Sequence, residues 1–76
     1  MVIGEKLRKI RVLHGLSRNA LGKQIAASGG AVSMWENNKR VPTFKYRAAY
    51  MALGKSVGIP LTLDEFDRKD NGSTKP

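Results

Sequence analysis

Apolar residues recur along this chain with helical spacing, and polar or small residues punctuate them at short intervals. Ile3, Leu7 and Ile10 stand at i, i+4 and i+7, the stripe of a helix running from Ile3 or Gly4 to Leu13. Gly15 stops it. Val12 points nearly opposite the stripe, so its exposure is expected. Ser17 then offers an N-cap hydroxyl, and Leu21 and Ile25 stand four apart on a second helix, Arg18 to Ile25. Ser28 can cap a third helix, Gly29 to about Asn37, whose inner face is Val32 and Trp35. At this spacing Trp35 reads as a core residue rather than a stacking platform. These four apolar residues let the second and third helices cross over one small core.

Pro42 and Thr43 punctuate the start of a fourth helix, Phe44 to about Val57, with Thr43 as its cap. This helix has two apolar stripes. Phe44, Ala48 and Met51 lie on one side; Tyr46, Tyr50, Leu53 and Val57 lie nearly opposite. One stripe can close the core and the other needs a second cover. Gly54 weakens the middle of the helix and Gly58 ends it. Leu61-Thr62-Leu63-Asp64-Glu65-Phe66 predicts a short final helix, with Thr62 and Glu65 as a capping box and Leu61 and Phe66 as a hydrophobic staple. The polar stretch from Asp67 to Pro76 has the composition of a disordered tail. The expectation is an all-α fold of four or five short helices, with a domain at 1–66 and a tail at 67–76.

The spacing from Leu16 to Pro42 resembles the helix-turn-helix of the phage-repressor-like family, which includes Cro, lambda repressor and many small bacterial regulators. Leu16-Ser17, Leu21, Ile25, Ser28, Val32-Ser33, Trp35-Glu36, Lys39 and Pro42 fall in the family's register without a gap, and Ile3 to Arg11 resembles its first helix. The likeness covers residues 3 to about 53. Three departures stand out. Gly22 replaces the usual Ala; Ala26 replaces the usual turn Gly, and is strained at positive φ; Asn38 replaces the Gly after the third helix, and tolerates the left-handed conformation well.

The resemblance implies a lambda-repressor-like domain that binds double-stranded DNA, as a small phage or mobile-element repressor does, with the third helix in the major groove. Base readout then falls on Arg18, Ser28, Gly29, Gly30, Ser33 and Met34. Met34 suits a thymine methyl and Ser33 suits several base edges. Two glycines opening a helix cost about 2 kcal/mol of propensity relative to alanine. They make either a poorly formed turn or a bare surface that lets the backbone approach the groove. Asn19, Asn37, Asn38, Lys39 and Arg40 supply phosphate contacts that fix register. The family also pairs an Arg at position 11 with the Glu of its W-E motif, which implies a structural ion pair between Arg11 and Glu36.

Charge supports a polyanion partner. The net charge is +8, and it is uneven: residues 1–61 hold eleven Lys/Arg and two acids, whereas residues 62–76 hold three Lys/Arg and four acids. The rival reading is a protein-interaction module whose basic face binds an acidic protein. An enzyme is the weakest reading. With no cysteine, a single His14 best read as a helix-end residue, and few acids in the body, the chain offers no acid–base pair or metal site. No cofactor and no small-molecule ligand are expected. No apolar run reaches the ~20 residues of a membrane span, and the first five residues do not read as a signal peptide; the expectation is a cytoplasmic protein without a membrane partner.

A single short recognition helix with two bare positions predicts modest affinity per copy, so a homodimer on an inverted repeat is expected. The candidate interface is Tyr46, Tyr50, Leu53 and Val57, extended by Ile59 and Leu61. The competing use of that stripe is intramolecular, with Leu63 and Phe66 folding back over it.

Overall fold

A computed structural model describes residues 3–67. Over those residues the chain is all-helical: α1 (Ile3–Leu13), α2 (Arg18–Ile25), α3 (Gly29–Glu36), α4 (Phe44–Ser56) and α5 (Leu63–Asp67). None of these helices is long and apolar enough to cross a membrane. The predicted tail from residue 68 onward lies outside the described residues. Asp67, assigned to that tail from composition, instead ends α5, where both its carboxylate oxygens meet the Arg47 guanidinium at 3.0 and 3.3 Å.

The helix boundaries follow their caps. Ser17 Oγ accepts from the Ala20 amide at 3.1 Å, and Ser28 Oγ accepts from the Ala31 amide at 3.0 Å. Thr43 occupies the N-cap of α4 with extended backbone but makes no side-chain capping bond. At α5 the Glu65 carboxylate accepts from the Thr62 amide at 3.0 Å, and both Leu61 and Phe66 are buried. Half of the expected capping box is present, since the Glu65 amide donates to the Thr62 carbonyl and not to its hydroxyl, and the helix it opens has only five residues.

Packing links the helices through α1 and α3. α2 lies against α3, and α1 lies against both α3 and α4. The core comprises Ile3, Leu7, Ile10, Leu21, Val32, Trp35, Tyr50, Leu61 and Phe66. Trp35 is buried as expected and meets Tyr46 at a 5.0 Å centroid distance and the edge of Tyr50 at 5.9 Å.

That arrangement decides between the two stripes of α4. Tyr50 is fully buried, Leu61 is buried, and Tyr46, Leu53, Val57 and Ile59 pack against the core. The stripe assigned to a dimer interface is therefore the inner face of α4, and Tyr50 and Leu61 have no surface to offer a second copy. Its cover is intramolecular: Phe66 joins the same cluster, although Leu63 stays exposed. On the opposite stripe Phe44, 67 % exposed, and Ala48 face solvent, while Met51 is half-buried against the core. The physical reason is aromatic. Tyr46 and Tyr50 reach Trp35, and the Tyr46 hydroxyl donates to the Ala26 carbonyl at 3.0 Å, contacts that a Phe44-inward rotation would forfeit.

Two further contacts set the frame. Gly54 is buried where an added Cβ would sit 2.3 Å from the Ile59 carbonyl oxygen, so the chain leaving α4 folds directly onto it. At the end of α1, His14 Nε2 lies 3.0 Å from the Leu53 carbonyl and 3.2 Å from Ser56 Oγ, which ties α1 to α4.

Candidate nucleic-acid interface

The α2–α3 unit is built by its turn. Ala26 takes the left-handed conformation (φ 64°), and its amide donates back toward the Gly22 and Lys23 carbonyls. Ala27 N–H follows with a 2.7 Å bond to the Gly22 carbonyl. A Cβ at position 22 would lie 2.7 Å from the Ala27 carbonyl oxygen and 3.0 Å from the Ser28 carbonyl carbon. Gly22 thus lets the turn fold tightly onto α2, and the strain of Ala26 is held by the bonds around it.

The far end of α3 is fixed by charge. Glu36 is buried, and Arg11 grips it through Nε–Oε2 at 2.6 Å and Nη2–Oε1 at 3.3 Å, while Arg11 Nη1 donates to the Leu16 carbonyl at 2.8 Å. The ion pair expected between Arg11 and Glu36 is present. Arg18 adds a second cation, its Nε donating to Glu36 Oε1 at 3.2 Å. Arg18, expected as a base-reading side chain, thus has the Nε edge of its guanidinium engaged by Glu36, because α2 starts beside the end of α3, while the side chain stays half-exposed.

Asn38 is likewise partly committed. With φ 61° it reverses the chain after α3, as its residue type predicts, and its Oδ1 accepts from the Gly4 amide at 3.0 Å. Its Oδ1 thereby caps the first turn of α1, and the side chain stays exposed. An added Cβ at Gly4 would meet the Glu36 carbonyl oxygen at 2.4 Å, so α1 begins in direct contact with the end of α3.

Along α3 the sequence-predicted positions separate. Gly30 and Met34 are exposed and Ser33 half-buried; with Ser28, Ala31 and Arg40 they line an open groove that Val41, Thr43 and Tyr46 complete. Gly29 lies under the Asn19 side chain: an added Cβ would fall 1.8 Å from Asn19 Oδ1. Ser28 spends its hydroxyl on the α3 cap, and Asn37 turns Nδ2 back onto the Ser33 carbonyl at 2.9 Å and Ser33 Oγ at 3.3 Å. The structure therefore brings Ser28, Gly30, Ser33, Met34 and Arg40 together at one groove. Arg18, Asn19, Gly29, Asn37, Asn38 and Lys39 do not line it.

Sequence reasoning passed over Lys45. Its ammonium lies 5.1 Å from the centre of the Tyr46 ring, beside the groove wall. The signal was a cation one residue before a tyrosine in the first turn of α4. Lys39, Arg40 and Lys45 are all exposed, and among the described residues no carboxylate lies within 4.0 Å of any of them. The nearest acid in sequence, Glu36, is occupied by two arginines. The groove is therefore walled partly by apolar atoms and flanked by cations with no carboxylate partner among the described residues, an arrangement suited to a polyanion with apolar features on its face.

Comparisons with known protein families, with characterised proteins and with solved structures returned no match to this chain.

Proposed function

We propose that the chain is a sequence-specific, double-stranded DNA-binding transcription regulator of the helix-turn-helix kind, with α3 entering the major groove and α2 crossing above it. The observation that supports this best is the α2–α3 unit. Two eight-residue helices pack across a three-residue turn, and the outer side of the second stays open beside three cations that have no carboxylate within 4.0 Å among the described residues. In this reading Lys39, Arg40 and Lys45 hold phosphates and fix register, while Ser33 and Met34 meet base edges. Occupancy is the mechanism, as for a small phage or mobile-element repressor: the bound protein blocks or recruits polymerase. Two copies on an inverted repeat, with half-sites about one helical turn apart, supply the affinity that one short helix lacks. Their contact does not use Tyr50 or Leu61, which are buried; of the expected interface only the half-buried Tyr46, Leu53, Val57 and Ile59 keep surface for a second copy.

The test is selection of a preferred duplex from random sequence, followed by binding titrations over a range of salt. Lys39→Ala or Arg40→Ala should weaken selected and random DNA alike, each flattening the salt slope by roughly one unit. Ser33→Ala or Met34→Ala should instead cost about 1–3 kcal/mol on the selected duplex and relax preference at one position. A chain that selects no sequence and binds duplex no better than a lysine-rich peptide of equal charge would end this reading. Sedimentation of the free chain, with inspection of the selected site for twofold symmetry, tests the pairing.

A further inference from the structure

A second groove, sharing no residue with the one beside α3, runs along the outer side of α1. Glu5, Lys6, Arg8, Lys9, Val12 and Ile59 line it. Glu5, Arg8, Lys9 and Val12 recur at i, i+3, i+4 and i+7 and so share one helical face. Val12 is 56 % exposed, an apolar side chain set in a cationic rim. Lys6 is paired with Glu65 of α5. Arg8 and Lys9 are exposed, and among the described residues no carboxylate lies within 4.0 Å of either.

The chemistry of the groove selects its occupant. A sugar–phosphate backbone would use Arg8 and Lys9 but gains nothing from Val12 and Ile59. An amphipathic segment with carboxylates on one side and an apolar residue on the other satisfies both. The chain carries its own instance of such a segment next to the groove. α5 bears Asp64, Glu65 and Asp67, buries Phe66 in the core, and is pinned by Glu65–Lys6 and Asp67–Arg47 pairs. The same pairing of carboxylate with cation and apolar side chain with apolar floor is left unused one turn further along α1.

We infer that the α1 groove docks an acidic amphipathic helix of a partner protein, its carboxylates on Arg8 and Lys9 and its apolar side chain on Val12 and Ile59. This surface is separate from the α3 groove and does not rest on the DNA-binding reading. It is a small, charge-steered contact of the transient kind, fast to form and weakened by salt.

The experiment titrates the nitrogen-15-labelled full chain with a synthetic helical peptide that repeats the α5 pattern of Asp and Glu with Leu and Phe. A peptide with Lys in place of every acid and a random-sequence DNA duplex are run in parallel. The acidic peptide should shift the amides of Arg8, Lys9, Val12 and Ile59, and the basic peptide should not. Arg8→Glu combined with Lys9→Glu, and separately Val12→Asp, should each weaken the acidic peptide at least tenfold while circular dichroism stays unchanged. All three positions are exposed, so the fold does not depend on them. Shifts confined to α3, an absence of shifts, or equal binding by the variants would overturn the inference. Shifts of the α1 residues by DNA but not by the peptide would assign the groove to nucleic acid and overturn it as well.

Discussion

Replacing Arg11 with alanine should be far more damaging than replacing Arg18, although both touch the same carboxylate. The Glu36 side chain is 1 % exposed and that of Arg11 is 12 %, so their pair is shielded from water, whereas Arg18 is 47 % exposed. Arg11 makes two contacts to Glu36 and a third bond to the Leu16 carbonyl; Arg18 makes one, at 3.2 Å. Removing one partner of a buried pair typically costs about 3–5 kcal/mol, because the remaining charge is left uncompensated. Here Arg18 stays to screen Glu36, which places Arg11→Ala near the lower end, about 3 kcal/mol. Arg18→Ala loses an ion pair half in solvent, worth about 1 kcal/mol or less. For a domain of this size 1 kcal/mol moves the midpoint by roughly 4–8 °C, so Arg11→Ala should lower Tm by roughly 12–24 °C and Arg18→Ala by no more than about 8 °C. Thermal and urea denaturation followed by circular dichroism measure both. Equal losses from the two variants, or a loss under about 1 kcal/mol for Arg11→Ala, would refute the view that this pair is the buried tie between α1 and α3.

Three other expectations are independent of that network or only border it. Tyr50 buries a hydroxyl that has no hydrogen-bond partner among the described residues, and burial, then the Glu36 charge, pushes its phenol well above the ordinary value of 10.0. Tyr50→Phe keeps the ring and removes the stranded group, so it should raise stability by roughly 1 kcal/mol. The unfolded chain loses the Tyr50 proton near pH 10 and the folded chain does not, so wild-type stability falls as pH rises beyond that point and the variant lacks this component; urea midpoints at neutral and alkaline pH decide it. The hydrogen bond from Lys6 holds the Glu65 carboxyl below its ordinary value of 4.5. Its contribution is present above that pH and is lost as pH falls below it, and a Glu65→Gln variant should show a shallower acid limb in the same assay. Gly54→Ala should lose about 1–3 kcal/mol despite better helix propensity, since the new methyl meets the Ile59 carbonyl, whereas Gly30→Ala makes only an ordinary contact with Ser28 Oγ at 3.8 Å and should gain up to about 1 kcal/mol; denaturation midpoints of opposite sign to these would contradict the packing at each position.

Helix positions were legible in the sequence because each begins or ends at a residue with a local reason to be there. Ser17 and Ser28 cap, Gly15 and Gly58 take positive φ of 71° and 77°, and Asn38 reverses the chain at 61°. The Arg11–Glu36 pair was legible only through the family resemblance, and its third member, Arg18, was not, since nothing in the order of residues says that α2 starts beside the end of α3. The facing of α4 was illegible for a different reason. Two stripes of similar apolarity have equal claim under periodicity, and the choice depends on Trp35 lying within reach of Tyr46 and Tyr50 from another helix. Gly54 looked like a weakness in α4 because its purpose, room for the Ile59 carbonyl, comes from a chain reversal that local pattern does not encode.

The α3 groove was half legible, and the missing half changes what specificity can rest on in the proposed function. The sequence reading gave it Arg18, Ser28 and Ser33 as hydrogen-bonding readers, and Asn37 and Asn38 among its phosphate contacts. In the fold Ser28 caps a helix, Asn37 folds back onto Ser33, Asn38 caps α1, and Arg18 leans on Glu36. Each already holds one polar atom in an internal bond, and a typical intramolecular hydrogen bond is worth about 0.5–1.5 kcal/mol, so a base contact made through that same atom is largely offset by the bond given up. What remains uncommitted on the exposed side is apolar or bare, Met34 and Gly30, and what flanks it is charge that reads no sequence. Under the proposed function the affinity of one copy for DNA would be mostly electrostatic, and its discrimination mostly shape and methyl contact. That is why Met34→Ala, which removes no charge and no hydrogen bond, should relax base preference more than Ser33→Ala does.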